Sequence, residues 1–395
     1  MIKHAILLMS LFFCVRLGAT DLLVNNTGAP NTYATLAAAI NAANDGDRIL
    51  LEPNIPIFES VSIDKSLEIV STAVDTAFNI NGTVTIIANA NKEIKLVGAH
   101  VNALSFSSGT ADSSSLCKFY FIDSKLIGAA GIDSQNMYVE TNVLFCDQLD
   151  RRVEFDYGKI IASDIKGFIS NVNGKIIANN IDSLLSILNG SYLLANNSFY
   201  HSNSYQSSNS QHQLIINGSI NSTNTNYIIN NRFYSYSTVY GASSGYNANI
   251  YINSSANNSE ISILNNSFWL RNDYYGYKNI FKSSHPSINV LYNNFYNAQG
   301  SSYLGVSGSN NFMNYSLYFN NSSSYANATD EGHPGIRYFD IDMSRNDIGI
   351  YGGPYSWNNY WGSSTGKGVV YDLDMPFEYW TGQSATINAK AAHQK

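Results

Sequence analysis

Charge is what this chain has least of. Asp, Glu, Lys and Arg make up 13% of its 395 residues, about half of the ~25% usual in soluble domains. Lys and Arg number 22 and the formal net charge is −7. No basic stripe exists, which excludes nucleic acid as an expected partner. Helical periodicity is almost absent after residue 46, which leaves an all-β architecture. Proline and glycine are modest, at 7 and 28 residues, too few for a disordered low-complexity chain. Beyond the N-terminus no apolar stretch is long enough for a membrane helix. Cysteine is scarce too. Of three, Cys14 lies in an N-terminal apolar run, which leaves the pair Cys117 and Cys146.

In place of charge the chain carries Asn, Ser, Thr and Tyr, a β-rich mixture suited to Asn ladders. Apolar content is 44%, enough to bury a core. One short frame keeps returning: aliphatic, aliphatic, Asn, Asn, any residue, Phe. It reads Leu194-Ala195-Asn196-Asn197-Ser198-Phe199, then Ile228-Ile229-Asn230-Asn231-Arg232-Phe233, then Ile263-Leu264-Asn265-Asn266-Ser267-Phe268. Leu291-Tyr292-Asn293-Asn294-Phe295 reads as a shortened fourth copy, and Ile160 to Ile165 and Ile176 to Ile181 are weaker relatives. A period of roughly 34 residues lies in the window of stacked supersecondary units. Short strands separated by single turns fit a sandwich or a coil of strands, and a fixed-offset Asn pair favours the coil. In a parallel β-helix equivalent residues stack, so the aliphatic pairs and the Phe are expected to line the interior and the Asn residues to form a ladder.

The ends have their own signals. Lys3 and His4, the apolar run Ile6 to Val15 and Leu17-Gly18-Ala19 read as a secretory signal over 1–19. An oxidising compartment would let Cys117 and Cys146 form a disulfide; two buried free thiols are the alternative. Residues 20–46 read as a cap. Tyr33 to Ala43 is an expected helix with Leu36, Ile40 and Ala43 on one face, and Gly46 is placed as its C-terminal αL residue. Coils are expected over 47–360 and a tail over 361–395. The cap, with Asp45-Gly46-Asp47 and Asp64-Lys65-Ser66-Leu67-Glu68-Ile69, resembles the N-terminal cap and first coil of the pectin-lyase-like right-handed parallel β-helix superfamily. Ser344 to Pro354 is similar to the closing motif of secreted bacterial β-helix proteins, especially from Bacteroidota. The resemblance implies an all-β right-handed parallel β-helix with a short N-terminal capping helix. It implies no single activity, because the superfamily holds polysaccharide lyases, glycoside hydrolases and proteins without known activity.

Loops follow each frame at one offset, so they should emerge on one side, often the binding face in repeat proteins. They are rich in tyrosine: Tyr240, Tyr246, Tyr274, Tyr275 and Tyr277. The residue after each frame Phe is aromatic as well: Tyr200, Tyr234, Trp269 and Tyr296. Strand alternation turns these outward if the Phe points inward. Such a stripe suits stacking against sugar rings of a polysaccharide or cell-surface glycan; rings that merely pack on one another are the structural alternative. An enzyme would need charged groups that the central coils lack. The residual basic cluster is Arg271, Lys278, Lys282 and His285. The charged group from Asp147 to Asp156 reads as a solvated loop. Asp340, Asp342 and Asp347 alternate oxygen ligands in a way that suits Ca²⁺, against a hydrogen-bonded turn; no cofactor is required. The expected role is that of a secreted or cell-surface protein, non-catalytic, binding glycan or another surface. A lyase or hydrolase acting on an acidic polysaccharide and a purely structural solenoid are the alternatives.

Overall fold

The computed structural model describes residues 19–25, 29–53, 55–73, 76–170, 174–187, 191–201, 213–217, 226–235, 248–253, 260–270, 279–283, 285, 288–296, 307–309, 312–313, 328–361, 368–374 and 388–393. The chain is a right-handed parallel β-helix. Its longest sheet has 14 strands, from Thr32–Tyr33 and Asp21–Val24 at one end to Ser307–Ser309 at the other, and neighbours are successive coils. Two seven-stranded sheets and one four-stranded sheet form the other sides, and all their named strand pairs are parallel. The antiparallel strand pair is a hairpin near the C-terminus, Gly368–Asp374 with Asn388–His393.

Helix α1 spans Leu36–Ala42, shorter than the expected Tyr33 to Ala43. Thr35 Oγ1 accepts the Ala38 N–H at its start, and Glu59 Oε1 and Oε2 accept the Leu36 and Ala37 N–H groups at 3.1 and 3.0 Å. Lys65 Nζ donates to the carbonyls of Ile40, Asn41 and Ala43 at the other end. A carboxylate at the N-terminus and an ammonium at the C-terminus both oppose the helix dipole, which lets a seven-residue helix persist. Leu36, Ala39 and Ile40 are buried against the first coil. Gly46 does take a positive φ of 91°, but Ala43 is the helix cap, so the glycine turns the chain into Asp47–Leu51 instead.

Each regular coil turns one corner on a left-handed residue. Asp123, Phe145, Ala162, Ala178, Asn196, Asn230, Asn265 and Tyr292 hold φ between 48° and 56°. Asn tolerates this conformation best among side-chain-bearing residues, which accounts for the first Asn of the frame. The second Asn builds the ladder. Asn179, Asn197, Asn231 and Asn266 each direct a backbone N–H and a side-chain Nδ2 to the carboxamide oxygen of the next Asn, at 2.8–3.0 Å, ending on Asn293. Nδ2 also donates to a buried carbonyl of the coil before, as from Asn231 to Leu194 O. The fourth copy of the frame is therefore not shortened: Tyr292 takes the corner and Asn293 the ladder position.

Only one member of each aliphatic pair faces inward. Leu194, Ile228 and Ile263 join the core with Phe199, Phe233, Phe268 and Phe295. The phenyl rings stack coil on coil with centroids 4.6, 4.8 and 5.1 Å apart. Burying each is worth about 1.5–3 kcal/mol. The other members, Ala195, Ile229 and Leu264, face outward by strand alternation and enter a second cluster with Leu144, Ile161 and Ile177. Tyr338 and Tyr360 cover it, with Tyr355, Trp357 and Trp361 against it.

That cover revises the expected end of the coil. The motif Ser344 to Pro354 does not close the last coil; residues 328–361 form a strap that runs back along the corner. His333 N bonds Asn265 Oδ1, Asn230 Nδ2 reaches Asn346 Oδ1, Asp347 O and Gly349 O, and Asn196 Nδ2 reaches Ile350 O and Gly352 O. The cysteines are buried free thiols. Cys117 pairs across with Val139, while Cys146 lies two residues beyond Leu144, the partner of Ile122. Five strand positions at about 3.3 Å each keep the thiols apart, far beyond disulfide reach. Burial pushes both up, Cys117 to about 11 and Cys146 to about 12, so neither is a reactive thiolate.

Candidate functional site

The seven-stranded sheet that carries the frame Phe residues has two outward columns, because side chains alternate along every strand. One is polar: Asp164, Asn180, Ser198, Arg232, Ser267 and Asn294 are in register on successive coils, with Asp164, Asn180 and Arg232 half-buried and Ser198, Ser267 and Asn294 buried. The second lies two residues further on. It runs Tyr200, Tyr234, Trp269, Tyr296 in register, and Asp182 precedes Tyr200 by one coil, since Ile181 pairs with Phe199. Between the columns the phenyl groups point into the core.

The aromatic column stands where strand alternation predicts. Tyr200 is 43% exposed, and Tyr234 and Trp269 are half-buried. Tyr200 and Tyr234 stack with centroids 5.2 Å apart and planes at 13°, whereas Trp269 tilts 53° from Tyr234 at 4.1 Å. The rings thus pack on one another, as the structural alternative requires, while Tyr200 stays exposed and Tyr234 and Trp269 keep part of their surface open. Gln213 Nε2 holds the backbone of this edge through Tyr234 O and Phe199 O. Strand position places Tyr296 beside Trp269. Tyr240, Tyr246, Tyr274, Tyr275 and Tyr277 lie outside the described residues.

The polar column was not singled out by sequence, though a step of one residue back from each frame Phe or Ile finds it. Arg232 donates through Nε and Nη2 to Ser198 Oγ at 3.2 and 2.7 Å. Asn180 Nδ2 donates to Asp164 Oδ1 at 3.1 Å. Burial raises the Asp164 carboxyl above the usual range, and the charges of Asp147 and Asp182 push it the same way; Lys166 and the Asn180 bond pull against them. The Asp147 to Asp156 stretch is not wholly a solvated loop. Glu154 sits on a short strand, buried, bonded to Arg152 Nη2 and Ser170 Oγ.

Of the residual basic cluster, two members are described, and neither is on a strand of this sheet. Lys282 belongs to Asn279–Ser283, a strand of the other seven-stranded sheet, in register with Tyr251. His285 is buried, its backbone N–H bonded to Ser283 Oγ. Arg271 and Lys278 lie outside the described residues. In the strap the three candidate ligands serve separate turns. Asp340 accepts the N–H groups of Asp347 and Gly353, Asp342 those of Ser344 N and Oγ, and Asp347 that of Asp330. Burial raises Asp340 to about 6 and also raises Asp347, while the Ser344 bonds lower Asp342. Among the described residues no group of three or more His, Cys, Asp or Glu is placed to hold a metal ion. Among the same residues no helix is long and apolar enough to cross a membrane.

No family model matches this chain, and no curated protein does. A solved structure with a similar chain path is that of pectate lyase Pel9A: 11% identity, 84% of this chain and 96% of that one covered, TM-score 0.37. So low a likeness bears on neither activity nor ligand, and the fold assignment rests on the strand pairing above.

Proposed function

We propose that this is a secreted or cell-surface β-helix protein that binds glycan, without cleaving it, through the outward aromatic column. The observation that carries the reading is the in-register run Tyr200, Tyr234, Trp269 and Tyr296, with the half-buried Asn180 amide and Arg232 guanidinium in the neighbouring column. Aromatic surfaces pack the apolar sides of sugar rings, and neighbouring polar groups meet their hydroxyls. Adjacent strands lie about 4.8 Å apart, so a glycan laid along the axis meets one ring of the aromatic column at each of these coils.

The test is binding of the mature protein to an array of neutral and acidic polysaccharides, with each spot assayed for new reducing or unsaturated ends. Binding without new ends is expected, and Tyr234→Ala plus Trp269→Ala should weaken it at least tenfold. Retention of full binding by that double variant would sink the reading. A second reading, glycoside hydrolysis, has one observation in its favour: the charges of Asp147 and Asp182 both act on the Asp164 carboxyl, and hydrolases work with paired carboxylates. New reducing ends lost on Asp164→Asn would establish it in place of the first.

A further inference from the structure

The outward aliphatic column beneath the strap is longer than the strap. It runs in register from Leu23 through Leu50, Val70, Val97 and Ile122 to Leu144 and on to Leu291, aliphatic at every coil. Trp361 Nε1 donates to Ala178 O, and the described strap ends there. The column is buried from Leu144 to Leu264, whereas Leu23, Leu50, Val70, Val97 and Ile122 are half-buried and lie beyond that end. Two residues earlier on each of the first four strands stands a charge, and the signs alternate: Asp21, Arg48, Glu68, Lys95. The Asp21 and Arg48 side chains are 49% and 46% exposed and that of Lys95 33%. Arg48 uses Nε and Nη2 on Asp21, at 2.9 and 2.8 Å, and Lys95 pairs with Glu93 of its own strand at 2.7 Å. Nη1 of Arg48 and further protons of Lys95 are left for a second acceptor. Among the described residues nothing hydrogen-bonds the Glu68 carboxylate, though its charge acts on Arg48.

We propose that this face pairs two copies of the chain, antiparallel, about a two-fold axis that lies along the strands. A row that reads acid, base, acid, base reads base, acid, base, acid in reverse. The axis therefore sets Asp21 of one copy opposite Lys95 of the other, and Arg48 opposite Glu68. Coils repeat at about 4.8 Å in both copies, so all four oppositions form in one register. A shift of one coil brings like charges together. The same axis lays the aliphatic column on itself, Leu23 on Val97 and Leu50 on Val70. An interface between identical copies needs this self-complementarity. Four coils by five strand residues make about 300 Å² on each copy, short of the ~800 Å² of a standard interface. The pair is therefore weak and forms where the protein is concentrated. The aromatic column belongs to another sheet, so pairing leaves it open on both copies.

The experiment is sedimentation of the full mature chain over about a thousandfold range of concentration, wide enough to catch a weak pair. Reversible association that weakens with added salt is expected, because exposed charges are screened. Arg48→Glu sets like charges against each other at two places and should weaken association at least tenfold. Arg48→Glu plus Glu68→Arg makes the row acid, acid, base, base, which again complements its own reverse, and should restore association. Val70→Asp places a carboxylate between the paired aliphatic columns and should abolish it. A monomer at every concentration overturns the proposal, as does association that Arg48→Glu or Val70→Asp leaves unchanged. Failure of the charge exchange to restore association overturns the antiparallel register. If Arg48→Glu disturbs the first strand, Lys95→Glu tests the same face: it sets a carboxylate against Asp21, and unchanged association then overturns the pairing.

Discussion

The coils before residue 170 and those after it turn the same corner with different side chains. In the earlier set the ladder position is Ser124, Cys146 or Ser163, and each small group makes few bonds: Ser163 Oγ accepts the Cys146 N–H and donates to Ile161 O. In the later set it is Asn, which accepts two bonds from one neighbour and donates to another. The corner residue changes one coil later, between Ala178 and Asn196. Phe145, Ala162 and Ala178 offer no side-chain amide, whereas Asn196, Asn230 and Asn265 grip the strap. Backbone geometry is the same, with φ of 51° at Ala162 and 56° at Asn230. Coil stacking is thus a property of the backbone, and the carboxamide decides how tightly coils are tied and whether anything docks outside them.

The largest effect should come from the ladder. Asn231→Leu removes the bonds to Leu194, Ile229 and Asn266 and leaves the two Asn197 donors without an acceptor. With each stranded buried group costing about 1–3 kcal/mol, the expected loss is about 4 kcal/mol. Ser163→Ala, with two bonds, should cost about 1–2 kcal/mol by the same reasoning. Urea unfolding of both variants checks the contrast, and equal losses would break it.

At the corner, Asn230→Gly keeps the left-handed turn free of strain but drops four bonds to the strap. It should cost about 2 kcal/mol and expose residues 340–353 to protease. Ala162→Gly, which touches no strap contact of this kind, should stabilise by up to about 1 kcal/mol through relief of the positive φ.

Asp340 of the strap and three carboxylates of the cap and first coils should respond to acidity with opposite signs. Asp340 in the strap has a folded pKa of about 6, above its unfolded 3.8. Its contribution is fully present below about pH 4 and is lost as pH rises through about 6; Asp347 shifts in the same direction. In the earlier coils and cap, Asp21, Asp45 and Asp112 are lowered, by the Arg48, Lys92 and Ser114 bonds respectively. Their contribution is present above about pH 4 and is lost as pH falls, for Asp112 through about 2. Hydrogen exchange at pH 4.5 and pH 7 should show strap amides exchanging more readily at the higher pH after correction for intrinsic rates. Asp340→Asn should reduce that difference.

Much of the coil was legible because a solenoid repeats in sequence what it repeats in space. The Asn-Asn pair marks the corner, and the inward Phe and the outward aromatic that follows it are local alternations that stand where a period of two puts them. The outward polar column was equally encoded but carries no distinctive residue type, so nothing marked Asp164, Asn180 or Arg232. The loop tyrosines and Arg271 offered composition without position.

Sequence alone determined the parallel coil, its corner Asn and its aromatic stripe, since each depends on neighbours a fixed number of residues away. Tertiary structure decided which aliphatic of each pair is exposed to the strap, why the first Asn of the frame exists, and which corner Trp361 reaches. Those are contacts such as Asn196 with Ile350 and Ala178 with Trp361. They join segments more than 150 residues apart, and no local period records them.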